Sequence, residues 1–215
     1  MTGTKIVKLN LEGGGADKLP QLKEDIITSK VFDIIERTPY NVVTGGSYYE
    51  RILEATRGLT PKEDEIQEVL TRLLSAHKED GRFMHDTFMV MKVGYMTNAL
   101  IHHSRQKKIM LILPEPVNCL GYRLEEGKEV ILEGNAGGNI GCEMKGAKLT
   151  VNGNVRGNLG TEMTQGEITV NGSVGGTVGE DMEGGKITVN GEIKKLSDRI
   201  KGGEVWQKNN RVWPT

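Results

Sequence analysis

The chain has only two cysteines, Cys119 and Cys142, and they lie 23 positions apart with no Cys-x-x-Cys pair and no neighbouring histidine pair. Two such thiols define neither a disulfide framework nor a metal site. They read as small core residues of a reducing compartment. No apolar run approaches the roughly 18 residues of a membrane-spanning helix. Residues 1–11 alternate polar and apolar rather than forming the apolar centre of a secretion signal, so the expected location is cytoplasmic. Net charge is −1, and neither part of the chain is a polyelectrolyte: 16 basic and 15 acidic residues precede position 114, and 12 and 14 follow. That balance gives no electrostatic case for nucleic acid. The chain also lacks a Ser-His-Asp or Cys-His arrangement, a P-loop and a dinucleotide fingerprint. No catalytic residue, cofactor site or metal site is therefore assigned, and no flavin, iron–sulfur cluster or metal is expected.

What the chain does have is glycine, unevenly placed. Nine of its 29 glycines lie in residues 1–113 and 20 in the remainder. Pro114 and Pro116 mark the step, which divides the chain into a head (1–113), a repeat region (114–206) and a tail (207–215).

The repeat region is one pattern written three times. Gly134, Gly153, Gly172 and Gly191 are each 19 residues apart. Between them, apolar residues recur at constant places. Ala136, Val155 and Val174 share one place; Ile140, Leu159 and Val178 another; Met144, Met163 and Met182 a third. Each copy closes on an alternating triplet followed by asparagine: Leu149-Thr-Val-Asn152, Ile168-Thr-Val-Asn171, Ile187-Thr-Val-Asn190. A fixed period near 20 marks a solenoid. Alternation marks the triplet as a strand, and the glycine content excludes a helix. Each copy is expected to be one coil of about three short strands, stacked at about 4.8 Å, with apolar ladders inside. Asn152, Asn171 and Asn190 should form a ladder at one corner. Gly138, Gly141, Gly157, Gly160, Gly176 and Gly179 should mark corners of positive φ or close coil-to-coil approach. Degenerate copies at 115–133 and 191–206 have the atypical character of terminal repeats.

The pattern Gly-Gly-x-hydrophobic-Gly, then Met, then a Gly-rich corner and hydrophobic-Thr-Val-Asn-Gly, resembles the GXGXG repeat. It is similar to the C-terminal domain of the glutamate synthase large subunit and to the subunit of formylmethanofuran dehydrogenase that carries the same repeat. The resemblance covers about residues 115–206 and implies a right-handed parallel β-helix of about five coils. It further implies a structural role, joining catalytic domains or subunits without a cofactor. No catalytic residues come with the motif.

The head reads as mostly helical with a few strands, making the whole an α+β protein of two domains. Lys5–Leu11 reads as a strand, and Gly13–Gly15 as a linker rather than a phosphate loop. Leu22–Arg37 is an amphipathic helix, and Tyr40–Val43 an extended piece. Gly45-Gly46-Ser47-Tyr48-Tyr49 opens a short helix that reaches Arg57. Free N–H groups there suit an anion, and the tyrosines suit a stacked ring, so this is the head's candidate ligand loop. Thr60-Pro61-Lys62-Glu63 is a capping box. The helix it starts carries Ile66, Val69, Leu70, Leu73 and Leu74 on one face, ending at His77. Residues 84–104 form a methionine-rich helix, read as the head's centre or an oligomer seam. His102 and His103 at its end read as cations complementing the helix dipole rather than as ligands. Ile109–Leu113 is a strand leading into the first coil. Glu143, Glu162 and Asp181 flank the methionines and read as solvated corner residues or an acidic stripe.

Two functional readings follow. The first is a non-catalytic structural or interaction subunit that works through protein partners or as a homo-oligomer, not through nucleic acid or membranes. The alternative is a small-ligand binder or enzyme with its site at Gly45–Tyr49 and the β-helix as an oligomerisation platform.

Overall fold

The computed structural model describes residues 26–37, 45–79 and 87–214. The strand expected at Lys5–Leu11, the glycines 13–15, the segment Tyr40–Val43 and Met84 lie outside those residues. So does the side chain of His77.

The described residues form a parallel β-solenoid of about five turns with four helices packed at its start. The helices are α1 (Ile26–Arg37), α2 (Gly45–Ala55), α3 (Glu63–Glu79) and α4 (Thr87–His103). The strands are β1 (Lys108–Ile112), β2 (Glu129–Glu133), β3 (Lys145–Asn152), β4 (Gln165–Val170), β5 (Val174–Val178), β6 (Lys186–Val189), β7 (Ile193–Leu196), β8 (Glu204–Gln207) and β9 (Asn210–Trp213). One sheet runs β1-β2-β3-β4-β6-β8-β9, and a second pairs β5 with β7.

In the large sheet the first six strands are parallel rungs. Leu149 pairs with Ile168, and Ile168 with Ile187, so the sequence period is the pairing register. The register closes to 18 residues at the last turn, where Lys186 meets Glu204, and opens to 21 at the first, where Lys108 meets Glu129. Alternation divides each rung. Ile109, Val130, Leu149, Ile168, Ile187 and Val205 are buried inside, while the residues between them face out. The second track consists of β5, β7 and single bridges such as Ala136–Val155 and Ile140–Leu159. Each coil thus has two strand tracks rather than three, and the corner between them is tied from coil to coil by single backbone bonds such as Thr164 N to Met144 O (3.0 Å) and Lys201 N to Met182 O (2.8 Å). Met144, Met163 and Met182 fill the interior from a non-strand corner between them.

Asparagines hold the turns. Asn171 Nδ2 donates to Asn152 Oδ1 at 2.6 Å, and Asn190 Nδ2 to Asn171 Oδ1 at 2.7 Å. A second ladder is not legible from the repeat pattern. The Asn135 side chain accepts from Asn154 N (2.9 Å), Asn154 from Ser173 N (2.8 Å), and Ser173 from Glu192 N (2.9 Å).

The glycines act in two ways. Gly141, Gly160 and Gly179 have positive φ (65°, 66° and 74°). Gly157 and Gly176 do not. They are small because the coil before them is close: a Cβ on Gly157 would sit 2.7 Å from Gly138 Cα, and one on Gly176 2.4 Å from the Gly157 carbonyl carbon. Gly138 differs from both, since its Cβ would meet Gly157 Cα at an ordinary 3.6 Å.

The strand expected to lead into the first coil is itself the first rung. Its free edge is closed by α3, whose Glu63 carboxylate accepts from Met110 N and whose Gln67 amide bonds both N and O of Ile112. This redirects the expected capping box. Glu63 is occupied by the rung, and Glu65 instead accepts from Lys62 N at 2.6 Å, just before the helix begins. Helix α4 lies on the first coil. Asn98 Nδ2 donates to Cys119 O (2.6 Å), and Asn98 Oδ1 accepts from Gly121 N (2.9 Å). Gly94 permits this approach, because a Cβ there would fall 1.9 Å from Asn118 O. Val93–Ile101 is buried throughout, so this part of the helix is interior and offers no seam to another chain. At the far end the tail folds back: β9 pairs antiparallel with β8, and Val212 and Trp213 pack partly buried against the core. Among the described residues no helix is long and apolar enough to cross a membrane.

Candidate functional site

The candidate ligand loop is the first turn of α2 itself. Ser47 is exposed, but Tyr48 and Tyr49 are buried. Tyr49 meets Tyr122 edge-on at 5.0 Å between ring centres and Tyr95 at 5.9 Å; Tyr95 meets Tyr122 at 5.1 Å and Tyr48 at 6.1 Å. Four tyrosines from α2, α4 and the first coil therefore form one cluster at the junction. Edge-to-face packing satisfies the ring quadrupoles within the protein. The rings are not available to stack on a ligand, and burial raises the phenols of Tyr49 and Tyr122 well above their ordinary value. The sequence pattern shows adjacent tyrosines, but α4 and the first coil, which bury them, lie about 45 and 75 residues further along the chain.

The cysteines belong to the same junction. Burial pushes the Cys119 thiol up to about 11 and the Cys142 thiol up to about 12. Both are protonated at neutral pH and poor nucleophiles.

A second place is the acidic corner. Arg123, Glu143, Glu162 and Asp181 occupy one position in successive coils, each with φ between 51° and 55°. The turn needs two left-handed residues. The first is glycine at 141, 160 and 179, because a side chain there would strike the core, such as Ile168 Cδ1 at 2.4 Å from a Cβ on Gly141. The second points to solvent and tolerates an acid, at a strain on the order of 1 kcal/mol. The stripe is neutralised at both ends. Glu143 accepts from Tyr122 Oη (2.9 Å) and Arg123 Nε (2.6 Å), and Arg123 reaches Glu50 of α2 at 2.7 Å. Asp181 pairs with Arg199 at 2.7 Å and Lys201 at 3.5 Å. Glu162, between them, is exposed and forms no ion pair among the described residues. Glu143, Glu162, Asp181 and Glu183, with Lys145, Lys201 and Thr164, line a groove of about 430 Å³. Among the described residues no three His, Cys, Asp or Glu side chains are grouped to hold a metal ion.

The histidine pair closes α4. The two rings meet edge-on at 5.2 Å, and His103 Nε2 lies 2.9 Å from Leu53 O of α2. Burial, and next His103, hold the His102 imidazole below its ordinary range; Lys128 adds to this, while Glu125 and Glu50 oppose it. The neutral ring is thus favoured in the fold, and the unfolded chain takes up the proton first as pH falls through about 6.5. The stability held by His102 is full above that value and declines as pH falls below it. His102→Gln should therefore narrow the drop in urea midpoint between about pH 7.5 and about pH 5.5. An unchanged drop would show that another group carries it.

No family model matches the chain, and no curated protein or solved structure matches it.

Proposed function

We propose that this protein is a non-catalytic structural or interaction subunit: a right-handed β-helix with a helical head as a second domain, acting in the cytoplasm through protein partners or further copies of itself. It takes no cofactor, nucleic acid or membrane as partner. The observation that carries the reading is where the reactive side chains are spent. Tyrosines pack on tyrosines, the Cys119 thiol is buried and the Cys142 thiol half-buried, Asn98 joins helix to coil, and the asparagines bond along the stack. A repeated surface of fixed spacing remains, which is what a solenoid offers to another protein. The GXGXG resemblance points the same way. It suggests a place in a glutamate synthase-like or formylmethanofuran dehydrogenase-like assembly, where the β-helix joins catalytic parts.

The alternative, a ligand site at Gly45–Tyr49, is weakened by the burial of both tyrosines. Affinity purification of the tagged chain from its source cells tests the choice. Stoichiometric recovery of a second protein or of untagged copies supports the scaffold reading. Recovery of a lone chain that turns over a small molecule would overturn it.

A further inference from the structure

The outer face of the large sheet carries three files of side chains. The first reads Lys108, Glu129, Lys148, Glu167, Lys186, Glu204, each paired in register with the next. Its charges alternate without exception over six rungs. Within one chain the alternation keeps like charges from stacking at about 4.8 Å, and it produces the Lys108–Glu129 (2.7 Å) and Lys148–Glu167 (3.4 Å) pairs. Those pairs are exposed, with Lys148 and Glu167 at 65% and 57%, so they contribute little to stability alone.

An even alternating file has a second property: read backwards, it is its own complement. The middle file has matching ends. It begins with Met110 and Ile131, continues with Thr150, Thr169 and Thr188, and reaches Trp206 on the last parallel rung, beyond which β9 places Arg211. Ile112, the exposed large apolar residue of the described chain at 52%, lies beside the Met110 end.

We propose that this face binds a second copy of the same face, related by a two-fold axis running along the strands between the rungs of Thr150 and Thr169. That operation keeps each file opposite itself and reverses the rung order. Lys148 then faces the partner's Glu167, Glu129 faces the partner's Lys186, and Lys108 faces the partner's Glu204. Met110 then meets the partner's Trp206, with Ile112 beside it in the neighbouring file. The other in-plane two-fold would lay the charged file over the asparagine file and leave the charges unmatched. Isologous contacts of this kind are the commonest route to dimers. Six rungs and three outward positions make a face on the order of 400 Å² per chain. That is at the small end for specific association, so the dimer is reversible and salt-sensitive. This inference rests on the scaffold reading and names one surface and one partner for it.

The test is sedimentation velocity on the full chain and two charge variants. The native chain should shift from monomer to dimer as concentration rises, and raising the salt should reverse the shift. Lys148→Glu and Glu167→Lys each place two like-charge contacts in the dimer and should each weaken it by about tenfold or more. Mixed in equal amounts, they should recover a one-to-one dimer, because Glu at position 148 of one chain then faces Lys at position 167 of the other. The recovery cannot come from within a chain, since each variant keeps its own defective file. Circular dichroism establishes that both are folded; should either fail to fold, raising the salt on the native chain decides alone. A native chain that stays monomeric, or variants that dimerise unmixed as the native chain does, would overturn the proposal. A monomer that still co-purifies with another protein would leave the scaffold reading standing without this face.

Discussion

Gly176→Ala is expected to lower stability by about 2–4 kcal/mol, whereas Gly138→Ala changes it by about 0.5 kcal/mol or less. The two glycines hold the same place in the repeat. Their surroundings differ, because a Cβ on Gly176 would lie 2.4–2.7 Å from three backbone atoms of the preceding coil. Backbone cannot swing aside as a side-chain tip can, so the rungs must separate locally and lose the β5–β7 pairing above. At Gly138 the preceding coil is the degenerate one, and the nearest atom would be 3.6 Å away. Alanine fits there and lowers the entropy of the unfolded chain. Gly157→Ala, with its 2.7 Å approach to Gly138 Cα, should fall between them. Arg156→Ala, an exposed neighbour, serves as the control. Thermal or urea melts of the four variants measure the order. Equal losses at Gly138 and Gly176 would contradict the coil-to-coil packing described above.

Removing the head is expected to have the larger effect. The repeats alone suggest that a chain beginning at Glu115 folds by itself, but such a chain lacks the first rung and everything that covers the first coil. Val117, Cys119, Leu120 and Leu124 are nearly fully buried in the intact protein and belong to one core with α2, α3 and α4. Exposing them costs on the order of 1.5–3 kcal/mol for each large side chain, and β2 becomes an open edge. The fragment should aggregate or bind a hydrophobic dye. A chain beginning at Lys107 restores the rung but not α4, and should be only partly rescued. A monomeric Glu115 fragment that melts cooperatively within a few degrees of the full chain would show that the coils need no cap.

The middle of this protein is legible because its residues interact with copies of themselves. A 19-residue repeat converts sequence spacing directly into register, so the Val155 and Leu159 ladders, the methionine column and the Asn152–Asn190 ladder can be read from the sequence, and all are found. The left-handed acids at 143, 162 and 181 are encoded too, two residues after each positive-φ glycine. An acid does not signal a left-handed turn as glycine does, so the pattern shows their charge and not their backbone. The ends are harder to read because their partners are unique. Nothing near Tyr48 signals Tyr122, and nothing near Glu63 signals the backbone of Met110. The capping-box pattern at Thr60–Glu63 is sound local chemistry, overridden by a stronger acceptor role at the sheet edge. The candidate loop at Gly45–Tyr49 fails as a stacking site for the same reason: its rings are buried by segments far along the chain.

We propose that the side chains able to do chemistry are consumed in building the stack and that the protein works by contact with other chains. Native mass spectrometry of the full chain, purified gently from its source cells, tests this most directly. The account predicts masses equal to whole multiples of the chain, or to the chain plus another protein. A monomer carrying the added mass of a bound small molecule would contradict it.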